Sequence, residues 1–299
     1  MGIIDSIQHW ANVSPDQTAH ISADRSLTYG ELARRSDILA DYFLRTFPAA
    51  DTQRPIAIYG HKEPELLVAF LAAVKSGHPY VPIDVAIPQH RIDHIQAASR
   101  ALALLTPSDI AALTEKSAPV AIDPSKAVAA DDPFYIMFTS GSTGNPKGVV
   151  ISYQNLQSFV DWMVQEQRFA EQREVFLDQA PFSFDLSVMD VYPCLVTGNT
   201  LFSIHQDEIT NPAQLYRTLS RSQVTTWVST PSFAQMCLVE KSFARAMLPR
   251  LNRLLFCGET LAVDVAATLL ERFPQAAVWN TYGPTEATEI GRASCRERV

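Results

Sequence analysis

The segment FTSGSTGNPKG, from Phe138 to Gly148, combines glycines, hydroxyl side chains and one lysine between the apolar runs FYIMFTS and VVISY. Glycines let a backbone approach phosphate oxygens and adopt positive φ. Hydroxyl groups, backbone N–H groups and an ammonium together complement an anion such as a triphosphate. We therefore assign anion binding to this loop, on Thr139, Ser140, Gly141, Ser142, Thr143, Gly144 and Lys147.

This loop differs from the phosphate-binding loop of P-loop kinases and NTPases. The pattern G-x-x-x-x-G-K-[ST] fails because Pro146 precedes Lys147 and Gly148 follows it. Glycine-rich turns are also common at protein surfaces, so the loop by itself leaves a flexible surface turn as an alternative.

The elements around the loop alternate between strand-like and helical patterns along the chain. Thr28 and Glu31 have capping-box spacing at the start of an amphipathic helix, and Gly77 stops an apolar helix that begins near EPELL. Such alternation predicts an α/β fold with stacked, mostly parallel sheets flanked by helices. We expect two subdomains, 1–132 and 133–288, with the Ala-, Ser-, Asp- and Pro-rich stretch 107–132 as the linker.

Three polar stretches follow predicted strands and should therefore meet. Ligands of parallel sheets bind at the carboxyl ends of the strands. TSGSTGNPKG, CGE (residues 257–259) and NTYGPTEAT (residues 280–288) each occupy such a position. Their convergence predicts a nucleotide site more strongly than any one of the three motifs does.

Composition limits the classes of partner. The 299 residues carry a formal net charge of −8 and no long basic run, which disfavours binding to nucleic-acid phosphates. Four cysteines without paired spacing are typical of a reduced cytosolic protein rather than of a disulfide framework or zinc site. No apolar stretch is long enough to cross a bilayer. We expect a cytoplasmic protein without membrane insertion.

The motifs together resemble a known family. TSGSTGNPKG is similar to the signature loop of the AMP-forming adenylating enzymes, the superfamily of acyl-CoA synthetases and peptide-synthetase adenylation domains. LTYGELARRSDILA, AVKSGHPYVPIDVAIPQHRI, FDLSVMDVYP and NTYGPTEAT resemble further motifs of that family, in family order, over residues 1–288. The resemblance implies ATP and Mg²⁺ as cofactors, and a loop that holds the β- and γ-phosphates.

Roles for individual residues follow from the resemblance. The residues that it assigns to the nucleotide beyond the loop are Gly258, Glu259, Asn280, Thr281, Tyr282, Gly283, Pro284 and Thr285. Tyr282 would stack on adenine, Thr285 would contact the α-phosphate and Glu286 would ligate Mg²⁺. Catalysis is assigned to Thr143, Lys147 and Glu286. A Gly-Pro turn with Glu286 as a first-turn carboxylate is the alternative for YGPTE.

Three residues bear on the substrate. In the amino-acid-activating branch, the Asp that corresponds to Asp185 pairs with the α-ammonium of the substrate, whereas a helix N-cap is the alternative role. FCGE, SFDLSVMDVYP and NTYGPTEAT most resemble the branch that activates D-alanine for a D-alanyl carrier protein in teichoic acid synthesis. That resemblance implies that Cys257 faces the substrate Cα and that Phe182 forms an aromatic gate before the substrate pocket. Both could instead be buried core residues.

The expected reaction is activation of D-alanine as D-alanyl-AMP, followed by transfer to the phosphopantetheine thiol of a carrier protein. An adenylation domain for another amino acid, and a nucleotide-binding module without turnover, are the alternatives. We expect residues 289–299 to be a non-native tail, because their apolar content falls abruptly and they match a translated sequencing adapter. The family's lid domain, with its catalytic lysine, is expected to be missing from this chain, so the fragment is expected to be incomplete for full activity.

Overall fold

A computed structural model describes residues 1–115, 118, 120–140 and 146–288, and the backbone of 292–294. The predicted α/β class is confirmed: two sheets rich in parallel strands are flanked by helices. The strands are β1 Thr18–Ser22, β2 Arg25–Thr28, β3 Ile56–Tyr59, β4 Tyr80–Ile83, β5 Leu104–Leu105, β6 Pro133–Ser140, β7 Pro146–Ser152, β8 Val175–Asp178, β9 Thr200–Ser203, β10 Thr226–Ser229, β11 Arg253–Phe256, β12 Ala277–Thr281 and β13 Arg292–Ser294.

Helices cover both sheets and connect most of the parallel strands. They are α1 Ile3–Val13, α2 Tyr29–Thr46, α3 Pro64–Lys75, α4 Gln89–Ser99, α5 Pro107–Thr114, α6 Tyr153–Gln167, α7 Val188–Val196, α8 Gln206–Ile209, α9 Pro212–Ser222, α10 Pro231–Cys237 and α11 Val263–Arg272. Among the helices of the described ranges, none combines the length and the apolar character that a membrane span requires.

The larger sheet has the strand order β13-β12-β11-β10-β8-β9-β1-β2, and the smaller sheet has the order β5-β3-β4-β6-β7. The strands from β12 to β1 in the larger sheet are parallel, whereas β2 and β13 pair antiparallel at its two edges. In the smaller sheet only the edge strand β7 is antiparallel. All carboxyl ends of the inner strands of each sheet therefore share one edge.

The expected boundary at residues 132 and 133 does not separate the two sheets. Strands β1 and β2 belong to the larger sheet, although they come from the first part of the chain, and β6 and β7 complete the smaller one. The stretch expected to be a linker contains helix α5. Hydrophobic periodicity identifies a strand but does not identify its neighbours, which depend on pairing between distant segments.

Two local predictions are confirmed in detail. Thr28 and Glu31 form a reciprocal capping box at the start of α2. Gly77 follows α3 with a φ of +82°, a conformation that favours glycine, and a Cβ there would lie 2.9 Å from the carbonyl oxygen of Lys126. Every residue of α3 is buried, so this helix packs on all sides between the sheets and its neighbours.

A buried polar junction joins the two sheets. The ammonium of Lys62, which follows β3, donates to the carbonyl oxygen of Asp178 at 2.6 Å and to its Oδ1 at 3.0 Å. Ser203 donates to the other oxygen of that carboxylate and lies 2.8 Å from His20 Nε2. Burial, followed by the charge of Lys62, lowers the pKa of His20 from 6.5 to about 3, so the imidazole is neutral at physiological pH.

This neutral histidine predicts acid sensitivity of the fold. An unfolded chain binds a proton on His20 below pH 6.5, whereas the folded chain binds it only near pH 3. Burial of His20 therefore does not lower the free energy of unfolding above pH 6.5. Below that pH the free energy of unfolding decreases as the pH falls toward 3. We expect the free energy of unfolding of the wild type to fall about 1.4 kcal/mol per pH unit more steeply than that of His20→Gln between about pH 4 and pH 6.

Denaturant titrations at a series of pH values measure these slopes. His9→Gln, in which the replaced histidine is exposed, is the matched control and should keep the wild-type slope. An unaltered slope in His20→Gln would show that His20 is not the group that titrates.

Candidate active site

The glycine-rich segment links β6 and β7, which pair antiparallel with each other. Thr139 pairs with Lys147 across the hairpin, which places Lys147 in strand β7 rather than in the loop itself. The Lys147 side chain is exposed. A Cβ on Gly148 would lie 3.0 Å from Ile136 Cγ2 and 3.1 Å from the Phe138 ring, so a larger residue there would displace one of these side chains.

Gly141, Ser142, Thr143 and Gly144 lie outside the described residues, as does the side chain of Ser140. Ser140 and Pro146 flank residues 141–145 and pair with each other, one residue beyond the Thr139–Lys147 pair.

Asp185 lies in the connection that follows β8, at the start of a short 3-10 helix, Asp185–Ser187. Its Oδ1 accepts from the Leu186 N–H at 2.9 Å, and its Oδ2 accepts from the Thr285 hydroxyl. The N-cap of the 3-10 helix is Phe184, and α7 begins only after Ser187, so Asp185 is not the helix cap of the alternative interpretation. Its half-buried carboxylate keeps lone pairs for a further donor.

The turn after β12 completes the same rim. Thr285 begins a 3-10 turn, Thr285–Ala287, that contacts strand β7. Glu286, in this turn, is exposed, and the ring of Tyr282 is 78% exposed. The hydroxyl of Thr285 reaches Asp185, so the turn links the hairpin strand that carries Lys147 to the carboxylate predicted to bind an ammonium.

Thr281 has a different position from its neighbours. Its hydroxyl is buried and donates to the Phe256 carbonyl oxygen at 3.0 Å, and it also lies 3.6 Å from the sulfur of Met189. Thr281 therefore fixes the end of β12 to the end of β11. The next residue of β11's connection, Cys257, is 1% exposed.

The Gly258–Glu259 stretch is held by the neighbouring connection. Gly258 has a φ of +86°, whereas a Cβ there would meet nothing closer than 3.9 Å, so conformation rather than space calls for glycine. The Glu259 carboxylate accepts from the Ser232 N–H and from the Ser232 hydroxyl, both at 3.0 Å. Glu259 thus ties the connection after β11 to the start of α10.

Phe182 lies beneath the rim rather than in it. Its ring is 3% exposed and packs edge-on against Phe70 at 5.7 Å between centroids, with His20 at 6.3 Å. This placement favours the core-residue interpretation of Phe182. The exposed ring of the segment belongs to Phe184, which is 55% exposed and which sequence reasoning did not select.

Three polar atoms, two at the carboxyl ends of β8 and β12 and one after the 3-10 turn that follows β12, are buried without a hydrogen-bond partner among the described residues. They are Gln179 Oε1, Asn280 Oδ1 and Thr288 Oγ1. Buried polar atoms usually have partners, so such atoms at a strand end indicate a place for a ligand or water. Asn280 was predicted, whereas Gln179 and Thr288 were missed. The position of Gln179 directly after a strand was the only available signal.

The rim offers one carboxylate suited to a hard cation. Within the described ranges, no group of three His, Cys, Asp or Glu side chains could hold a metal ion. Glu286 is exposed, and no hydrogen bond or ion pair joins it to the described residues. Mg²⁺ commonly binds one or two carboxylates together with substrate phosphates, so the residues present fit a metal that arrives with a nucleotide.

Known proteins are similar to this chain over most of its length. The model of the AMP-binding enzyme family matches residues 7–298. The D-alanine–D-alanyl carrier protein ligase of Bacillus mycoides (strain KBAB4) is 46% identical over 306 residues, which cover 96% of this chain and 60% of the relative. The ligase of the same name from Bacillus anthracis (strain CDC 684 / NRRL 3495) is 47% identical, with 96% and 59% covered. The chain spans about 60% of the length of these relatives.

A solved structure has the same fold. The nonribosomal peptide synthetase FmoA3, in an AMPPNP-bound form, superposes with a TM-score of 0.86 at 22% sequence identity. The superposition covers 98% of this chain and 32% of that chain.

Proposed function

The chain belongs to the AMP-binding enzyme family, and from this we propose that it is the larger part of an ATP-dependent ligase that activates D-alanine. The observation that carries the proposal is the contact between Thr285 and Asp185, which brings the predicted phosphate and ammonium sites together. The ligase names of relatives at 46% and 47% identity support D-alanine as the amino acid.

The proposed reaction has two steps. A D-alanine carboxylate oxygen attacks the α-phosphorus of ATP, the bond between that phosphorus and the bridging oxygen breaks, and pyrophosphate leaves with the bonding electrons. The thiol of a carrier-protein phosphopantetheine then attacks the acyl carbon, and AMP leaves. Both reactants of the first step are anionic, so positioning and charge neutralisation are the main tasks of the site.

The residues of the rim would divide these tasks. Asp185 would pair with the ammonium of D-alanine, and Thr285, beside it, would face the α-phosphate. Lys147 and the 141–144 loop, including Thr143, would hold the β- and γ-phosphates. Tyr282 has the exposed ring needed for stacking on adenine. Glu286 would hold Mg²⁺, which supplies positive charge to the phosphates when bound.

The walls of the nucleotide site would come from two connections. Asn280 Oδ1, buried without a described partner, would accept from adenine. Gly258 and Glu259 would form the facing wall, with Glu259 held by Ser232. Thr281 would support the site indirectly, because its hydroxyl holds the end of β12 against the end of β11. Ligands would thus be D-alanine, ATP and a phosphopantetheinylated carrier protein, and the expected location is the cytoplasm.

A panel of aminoacyl sulfamoyl adenosines tests the proposal on the chain itself. These compounds replace the reactive acyl phosphate by a stable sulfamate. We expect calorimetry to rank the D-alanyl compound tightest, above L-alanyl and larger side chains. ATP–pyrophosphate exchange with the complete ligase should likewise depend on D-alanine. Tightest binding of another amino acid would make the chain an adenylation module for that amino acid, and binding of AMP alone would make it a nucleotide-binding module.

Cys257 should contribute to the choice between D- and L-alanine. It lies buried directly after β11, in the connection that leads to Gly258. We propose that its side chain fills the space that the L-methyl group would need. Cys257→Ala should therefore reduce the preference for D-alanyl over L-alanyl sulfamoyl adenosine by about tenfold.

Competition binding with the two enantiomers measures this preference. Cys237→Ala is the matched control, because Cys237 is equally buried but lies in α10. The same enantiomer ratio in Cys257→Ala and the wild type would remove Cys257 from the selectivity.

A further inference from the structure

The connection that carries Asp185 is tied to the smaller sheet at its origin. Asp178 ends β8, and its carbonyl oxygen accepts from Lys62 at 2.6 Å and from the Ile204 N–H at 3.1 Å. Its carboxylate accepts from Lys62 and from Ser203. Lys62 and Asp178 lie 116 positions apart in sequence, and both side chains are 0% exposed.

An ion pair that is fully buried costs free energy to form. Burying two charges costs several kcal/mol each, so a buried ion pair by itself is weak evidence for stability. The hydrogen bond from Lys62 to the Asp178 carbonyl oxygen, however, fixes the backbone at the last residue of β8. Lys62 is itself held, because Ser22 donates to its carbonyl oxygen at 2.7 Å.

The rest of the connection is short and folded on itself. The Phe184 N–H donates to the Pro181 carbonyl oxygen at 2.9 Å, and the Phe182 ring packs on Phe70 of α3. Only the residues from 179 to 184 separate the fixed end of β8 from Asp185. A displacement of Asp178 would therefore be passed on to the Asp185 carboxylate.

We propose that Lys62 is a positioning residue for the ammonium site: by holding Asp178, it sets where the connection leaves the larger sheet and where Asp185 stands. The inference rests on the proposed role of Asp185. Lys62 does not touch the substrate in this account, and it acts from the smaller sheet through the buried junction.

Two ligands isolate the ammonium contribution. D-alanyl sulfamoyl adenosine and propionyl sulfamoyl adenosine differ only in the amino group. The dissociation constant of the propionyl compound divided by that of the D-alanyl compound reports how strongly Asp185 binds the ammonium. The affinity for AMP reports the state of the nucleotide site. A general loss of stability would not move the ratio in the fraction of protein that is folded.

Lys62→Met should lower this ratio by about tenfold and leave the affinity for AMP unchanged. Lys75→Met is the matched control. Lys75 is also buried and pairs with Asp37 at 2.6 Å, but it lies at the far end of α3 from Lys62. The control should keep the wild-type ratio, even if its melting temperature falls.

A second variant covers the case in which Lys62→Met does not fold. Lys62→Met combined with Asp178→Asn leaves no unpaired buried charge, which removes the main cause of misfolding. The tie from Lys62 is still lost, so the ratio should fall as in the single variant. A folded single or double variant with the wild-type ratio would overturn the role of Lys62.

Asp185→Asn, measured in parallel, separates this inference from the proposed function. A lowered ratio in Asp185→Asn, with a wild-type ratio in the Lys62 variants, would overturn the positioning role alone. An unchanged ratio in Asp185→Asn would overturn the proposed ammonium site and the positioning role with it.

Discussion

Asp185→Asn is expected to weaken binding of D-alanyl sulfamoyl adenosine by about 30- to 150-fold, or roughly 2–3 kcal/mol. The reason is the loss of the negative charge that would meet the ligand ammonium, in a half-buried position where water screens it less. The asparagine retains the size of the side chain and an acceptor for the Leu186 N–H, and its amide NH2 can donate to the Thr285 hydroxyl oxygen, so the local fold should persist.

Isothermal titration calorimetry measures the effect, with AMP as the second ligand. AMP lacks the ammonium, so its affinity should change little. Asp264→Asn is the matched control, because Asp264 is an exposed aspartate in the first turn of α11. Equal losses for AMP and the D-alanyl compound would show that the variant damages the nucleotide site instead of an ammonium site.

Glu286→Gln should remove most of the effect of Mg²⁺ on ATP binding. In the proposed site the Glu286 carboxylate and the phosphate oxygens share the ion, and a neutral amide is a much poorer ligand for it. We expect Mg²⁺ to tighten ATP binding by the wild type about tenfold or more and to have little effect in the variant, which corresponds to about 1.4 kcal/mol.

ATP titrations with Mg²⁺ and with a chelator give the two affinities. Glu271→Gln, which changes an exposed glutamate of α11, is the control and should respond to Mg²⁺ as the wild type does. An undiminished response to Mg²⁺ in Glu286→Gln would mean that other residues hold the ion.

The fold class and much of the local structure could be predicted from the sequence because the signals are local. The capping box at Thr28 and the glycine stop at Gly77 depend on residues within one or two helical turns. The sheet to which β1 or β6 belongs depends on pairing with a distant strand, β9 and β4 respectively. No periodic pattern encodes that choice, so the expected division of the chain did not match the sheets.

For the candidate site, the location could be predicted from the sequence, whereas the orientation of individual side chains could not. The carboxyl-end rule predicted from the sequence that the glycine-rich loop, the stretch 257–259 and the stretch 280–288 meet at one rim. It did not predict which side chains turn inward: Phe182 packs on Phe70, whereas Phe184 is exposed. Alternation and apolar type describe both phenylalanines equally well.

The tertiary contacts of the site had even less sequence signal. Glu259 holds Ser232, and Lys62 holds Asp178, across 27 and 116 positions respectively. Each contact joins segments at the carboxyl ends of different strands. Their partners become visible only when the strand order is known.

A crystal structure of the chain with D-alanyl sulfamoyl adenosine would test the central claim most directly. We predict that the ligand ammonium lies within about 3.2 Å of an Asp185 carboxylate oxygen, with the adenine against Tyr282. A ligand whose ammonium is remote from Asp185, or which occupies a cleft away from the turn at Glu286, would contradict it.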